Sequence, residues 1–198
     1  MKYLVIGTLR QWHWISSALC LAGMLLFAVT GITLNHAGVI ESRPTVSSTE
    51  VQLPKQLMAL LPQMIADHTL PAPLQSWLRA ELDVHATAEQ AEWSDGELYL
   101  GLPRPGGDAW LTLDLTSGEV FHESTDRGWI AYANDLHKGR HTGTAWSWFI
   151  DLFAGVCVVF SLTGLLLLQR QARSRPSTWP ITGLGLLIPV LIALLLIH

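Results

Sequence analysis

Trp12–His36 reads WHWISSALCLAGMLLFAVTGITLNH, a run of about twenty apolar and small residues with a histidine at each end. That length crosses the roughly 30 Å hydrocarbon layer of a bilayer as one helix. Two further runs follow, at about 146–168 and about 181–197. The third is the shortest and carries Pro189, which membrane helices tolerate better than soluble ones do. Only 14% of the 198 residues are charged and 49% are hydrophobic. Soluble domains carry roughly 25% charged residues. The composition therefore predicts a helical membrane protein with three spans. The first run is longer than a signal-peptide core and lacks a small-residue cleavage pattern, so it reads as a retained helix.

Charge sets the predicted orientation. Lys2 and Arg10 precede the first run, and Arg170, Arg173 and Arg175 lie between the second and third. Neither flank carries an acid. Residues 37–145 hold 15 of the 16 acids and 7 of the 12 bases, a net charge of −8. Basic loops stay on the cytoplasmic side. The N-terminus and the 170–178 loop then lie inside, and the acidic middle region and His198 lie outside. In a bacterium that membrane is the inner, cytoplasmic one, and outside is the periplasm. Nothing in this balance suggests a nucleic-acid partner.

The middle region switches period. Leu57, Leu60, Leu61, Met64 and Ile65 recur at helical spacing, and residues 74–82 make a second short helix. Residues 97–102 and 109–114 alternate as strands around a Pro-Gly turn, and a third strand starts at Glu119. Residues 43–49 read as a linker. The whole is a small α+β domain with a modest core, which favours docking onto the membrane helices. Asp83, Glu89, Glu92, Asp95 and Glu97 read as a solvated face, and His68, His85 and His122 as isolated surface histidines. No nucleotide-binding loop, nucleophile elbow or zinc-protease motif occurs. Cys20 and Cys157 read as small apolar residues near mid-span, at similar depth on opposed helices. Without Cys-x-x-Cys-His, covalent haem is excluded.

Four histidines frame the first two spans. His13 opens the first and His36 closes it; His137 and His141 precede the second. Ionisable groups at a span are functional candidates by default. His13 and His36 are 23 residues apart, roughly 34 Å on a helix, and cannot share a metal. His36, His137 and His141 share the outer edge, and on a continuing helix the last two share a face. A haem iron held between the first span and the entrance of the second would take His36 on one side and His141, or His137, on the other. Lys138 and Arg140 are candidate propionate partners. A zinc or copper site from the same trio, or a purely interfacial role beside the flanking tryptophans, are the competing readings. Asp151, in the first turns of the second span, is the one carboxylate placed for proton work.

A short echo links the two spans. Phe27-Ala28-Val29-Thr30-Gly31-Ile32-Thr33-Leu34 and Phe160-Ser161-Leu162-Thr163-Gly164-Leu165-Leu166-Leu167 both read Phe-x-x-Thr-Gly-apolar-x-Leu. A glycine in a span admits a second helix or a flat ligand to the backbone. Gly164 falls at the depth of His13, and Gly31 at the depth where His36 and His141 point inward.

Three stretches carry a family resemblance. Arg10-Gln11-Trp12-His13-Trp14, Leu136-His137 with His141-Thr142-Gly143, and Leu113-Asp114-x-Thr116-x-Gly118-Glu119-Val120 resemble the first helix, second-helix entrance and domain turn of the PepSY-associated transmembrane family. Thr33-Leu34-Asn35-His36 resembles its short PepSY-like variant. The resemblance covers most of residues 10–168. It implies an inner-membrane protein with a periplasmic PepSY-like domain at 37–136, between a first span at 1–36 and a second at 137–169. A basic loop at 170–178 and a last span at 179–198 complete the chain. It also implies haem b, one per chain at the outer trio with a second possible site at His13. Some members are similar to ferric-siderophore reductases, so a ferric siderophore is the implied substrate. A regulator or assembly partner binding a periplasmic peptide or protein, and a haem chaperone or transporter, are the alternatives. No second inner histidine pairs with His13, which calls for a homodimer, a partner membrane protein or a non-histidine ligand.

Overall fold

The computed structural model describes residues 7–40 and 43–197. Lys2 and His198, two residues of the orientation reading, lie outside the described residues. Three helices are long and apolar enough to cross a membrane: α1 (Leu9–Asn35), α6 (Gly143–Gln171) and α7 (Thr178–Leu196). Each satisfies its backbone internally, as a lipid environment requires. Each is apolar around most of its circumference, so its leucines and valines stand exposed. Pro189 sits inside α7 without ending it.

The chain divides into two compact units: residues up to Leu26 together with those from Trp148 onward, and Phe27–Ser147. In the first unit, contacts between α1 and α6 run in antiparallel order. His13 meets Phe160 and Thr163. The Cys20 thiol lies beside that of Cys157, and Gly23 faces the ring of Phe153. Cys20 is fully buried and both cysteines are free thiols, matching the small-apolar reading.

The second unit is built on a five-stranded antiparallel sheet in the order β1-β5-β4-β3-β2. Its strands are β1 (Thr45–Gln52), β2 (Ala91–Ser94), β3 (Glu97–Gly101), β4 (Gly107–Asp114) and β5 (Glu119–Asp126). Between β1 and β2 the chain makes α2 (Lys55–Met58), α3 (Leu61–Asp67) and α4 (Ala72–Leu82). Met64, Leu74 and Leu78 cluster with Leu98, Leu100, Leu111, Leu113 and Val120. These strand residues alternate along β3, β4 and β5, so one sheet face is apolar and helix-covered. The β4–β5 turn is set by Asp114, whose Oδ1 accepts from the Thr116 and Ser117 amides at 2.7 Å each. Gly118 then takes φ +74°, a left-handed conformation that favours glycine.

Two elements differ from the sequence reading. Residues 45–49, expected as linker, form most of β1. Its β-branched residues suit a strand, but all of them except Val51 are exposed, so no period-two pattern marks it. Second, the approach to α6 is not one continuing helix. A separate helix, α5 (Gly128–Lys138), stops at Gly139, and Gly139, His141 and Gly143 all have positive φ. His137 therefore belongs to α5 and His141 to the turn after it, and they share no helix face.

Candidate functional site

The Phe-x-x-Thr-Gly echo is a histidine receptor, used twice. Positions i, i+3 and i+4 lie on one helix face. Phenylalanine, threonine and glycine thus present a ring, a hydroxyl and a gap in one stripe. On α6, His13 stacks on Phe160 with centroids 4.9 Å apart and planes 13° apart. Its Nδ1 lies 3.0 Å from Thr163 Oγ1. A Cβ on Gly164 would sit 3.3 Å from His13 Cε1, so the glycine makes the room. On α1, His137 lies against Phe27 at 4.9 Å with planes tilted 42°, and its Nδ1 is 2.7 Å from Thr30 Oγ1. A Cβ on Gly31 would meet His137 Cε1 at 3.6 Å. Gly164 thus receives His13 as its depth predicts. Gly31 receives His137 rather than His36 or His141.

The hydroxyls engage one ring nitrogen. Thr163 Oγ1 has backbone acceptors in its own helix, Val159 O at 2.7 Å and Phe160 O at 3.0 Å. With its proton placed there it accepts from His13 Nδ1–H, the tautomer in which Nε2 carries the lone pair. Thr30 has the same backbone acceptor available, Phe27 O at 3.2 Å. No hydrogen bond to Nε2 of His13 or of His137 occurs among the described residues.

His36 and His141 are arranged differently. His36 is exposed, and its Nδ1–H donates to Ile32 O of its own helix at 2.9 Å. His141 is exposed with φ +56°, and its Nε2 accepts from Arg140 Nε at 3.1 Å. Among the described residues, no group of three or more His, Cys, Asp or Glu is arranged to hold a metal ion. Asp151 is exposed and lines a 410 Å³ groove with Ser16, Leu19, Gly155 and Val159, a largely apolar setting for a carboxylate.

Helix α5 joins the end of α1 to the sheet through consecutive residues. Buried Asn134 bonds Thr33 Oγ1 at 2.7 Å. Buried Asp135 accepts the Gly106 amide at 2.8 Å and lies 3.8 Å from the Arg127 guanidinium. The Leu136 carbonyl accepts from Trp146 Nε1 at 2.9 Å. His137 then reaches Thr30. The glycine at 106 is required, because it has φ +72° and a Cβ there would sit 2.7 Å from Tyr132 Cα. Sequence reasoning missed Asn134 and Asp135, since polar residues on a short amphipathic helix read as solvated. The threonines Thr30 and Thr163 were signalled by the echo.

In the sheet domain, the acids from Asp83 to Glu97 are exposed as expected. His68 lies against Trp93 at 5.4 Å. His85 and His122, isolated in sequence, line one cleft together.

No curated protein and no solved structure matches the chain. The sequence pattern of the PepSY_TM-like family matches residues 4–198, and the chain belongs to that family.

Proposed function

We propose that this membrane protein is a b-type haem protein that carries electrons through a bacterial inner membrane towards its sheet domain, where a ferric chelate is reduced. One observation carries the reading. His13 Nδ1 is bonded to Thr163 Oγ1, so Nε2 is the ring nitrogen left to ligate. Ligating histidines characteristically have their second ring nitrogen hydrogen-bonded in this way.

The residues fit the group. Haem iron accepts one proximal imidazole or two axial ones, and no covalent attachment motif is needed for haem b. His13 and His137 would each hold the group by one imidazole from its receptor, and a further ligand would come from a second copy of the chain or a partner protein. When bound, the group supplies one-electron transfer. The chain's own part is to orient each imidazole by its threonine and phenylalanine and to exclude water. The direction of transfer rests on the basic flanks, and the ferric-chelate acceptor on the family resemblance.

Haem content of the purified full chain, expressed with ample haem, tests the ligands. His13→Ala and His137→Ala should each lower the haem-to-protein ratio, while His36→Ala and His141→Ala leave it unchanged. Loss from His36→Ala or His141→Ala alone would return the site to the outer pair.

A second reading is favoured by α5. Asp135 on the sheet turn and Asn134 on α1 are adjacent, so a protein bound to the sheet domain would act directly on α1. In this reading the chain is a regulator or assembly partner. A colourless preparation whose partner is lost with Asp135→Ala would support it.

A further inference from the structure

On its β1 and β5 side, the helix-covered sheet face turns polar towards one end. Val51 and Val120, beside Leu113, line the apolar end; along the same alternation Thr49, His122 and Ser124 follow, beside Leu111 and Ala109 of β4. Helix α4 stops at Leu82, and short polar side chains cannot fill the space beyond it. A cleft of 690 Å³ remains, inside one compact unit. Its two walls carry opposite charge.

On the sheet wall, Arg104 donates from Nη2 to Ser124 Oγ at 2.9 Å, which aims the guanidinium. His122 stands on the neighbouring register, half-buried, and makes no side-chain hydrogen bond among the described residues. On the helix wall, Glu81 and Asp83 sit at the C-terminal end of α4. Among the described residues no carboxylate lies within salt-bridge distance of Arg104; the ion pair formed is Arg127–Asp135. Acid and base therefore face one cleft without neutralising each other. A fork of guanidinium donors matches a carboxylate. Burial and the nearby Arg104 charge hold the His122 imidazole below its ordinary pKa, and a carboxylate beside it would offset the Arg104 repulsion.

We propose that this cleft binds a small organic zwitterion, with its carboxylate on Arg104 and His122 and its ammonium on Glu81 and Asp83. The site is independent of the haem reading, because no residue of the histidine receptors takes part.

Calorimetric titration of the detergent-solubilised full chain with ε-aminocaproate tests it, beside caproate, hexylamine and inorganic phosphate. ε-Aminocaproate should bind more tightly than the other three. Arg104→Gln should weaken it about ten- to a hundredfold, the worth of a charge-assisted pair, and Arg104→Lys less. Asp83→Asn should bring its affinity down towards that of caproate; asparagine tolerates the φ of +55° at this position. No binding of ε-aminocaproate, binding of caproate, hexylamine or phosphate as tightly, or an unchanged affinity in Arg104→Gln would each overturn the proposal.

Discussion

His13 Nδ1 lies 3.0 Å from Thr163 Oγ1, and the same hydroxyl lies 2.7 Å from Val159 O. The pair engages Nδ1 and leaves Nε2 as the free ring nitrogen. It also gives the recurrent threonine a reason: a hydroxyl anchored to its own helix is a fixed hydrogen-bond partner for a histidine from another.

Replacing that threonine separates geometry from packing. Thr163→Ala removes the hydroxyl at a cost of about 0.6 kcal/mol, a usual value for a hydrogen bond between membrane helices. Thr163→Ser keeps the hydroxyl and should behave as the parent protein. Thermal unfolding in detergent reads the stability. The nitrogen-15 shifts of the His13 ring should change in Thr163→Ala and not in Thr163→Ser.

Gly23 lets α1 and α6 approach. A Cβ there would fall inside the van der Waals surface of the Phe153 ring. Gly23→Ala should destabilise the first unit by about 1–3 kcal/mol, as overpacking does. Adding Phe153→Leu should recover much of the loss. A double variant no more stable than Gly23→Ala alone would show that the ring is not what the glycine accommodates.

The sheet domain is tied to α5 through one carboxylate. Asp135→Asn keeps the shape but weakens the acceptor for the Gly106 amide, at about 1–3 kcal/mol for a buried group. Gly106→Ala should be worse, since it meets both the Tyr132 backbone and an unfavourable φ of +72°. Hydrogen exchange should show faster opening of α5 in both variants. Protection unchanged in Gly106→Ala would contradict the close approach.

His122 should titrate below the ordinary histidine value of 6.5, first because burial disfavours the imidazolium and second because Arg104 repels it. A depressed folded-state value means that its contribution to stability is fully present above pH 6.5. That contribution is lost as pH falls through the folded value. Carbon-13 NMR should place the midpoint below 6.5, and Arg104→Gln should raise it only part of the way, because burial remains. His122→Gln should flatten the acid side of the stability profile.

Much of this was legible in the residues. The three spans follow from length and apolarity alone, and the repeat marked Gly31 and Gly164 as points of close approach, Gly164 at the depth of His13. Which histidine meets Gly31 was not legible. Glycines at 139 and 143, with His141 in a left-handed conformation between them, break the helix that would have carried His137 and His141 together. Strand β1 was hidden because its exposed edge gives no alternation. The Arg104 cleft was hidden because β1 and β5 bring together residues some 75 positions apart, such as Thr49 and His122.

The central claim is that these imidazoles ligate haem. The reduced-minus-oxidised absorption spectrum of the purified full chain, produced with ample haem, tests it most directly. The account predicts a Soret band and a reduced α-band of the b type that weaken in His13→Ala and again in the double variant with His137→Ala. A folded, stable protein with no Soret absorption would contradict it.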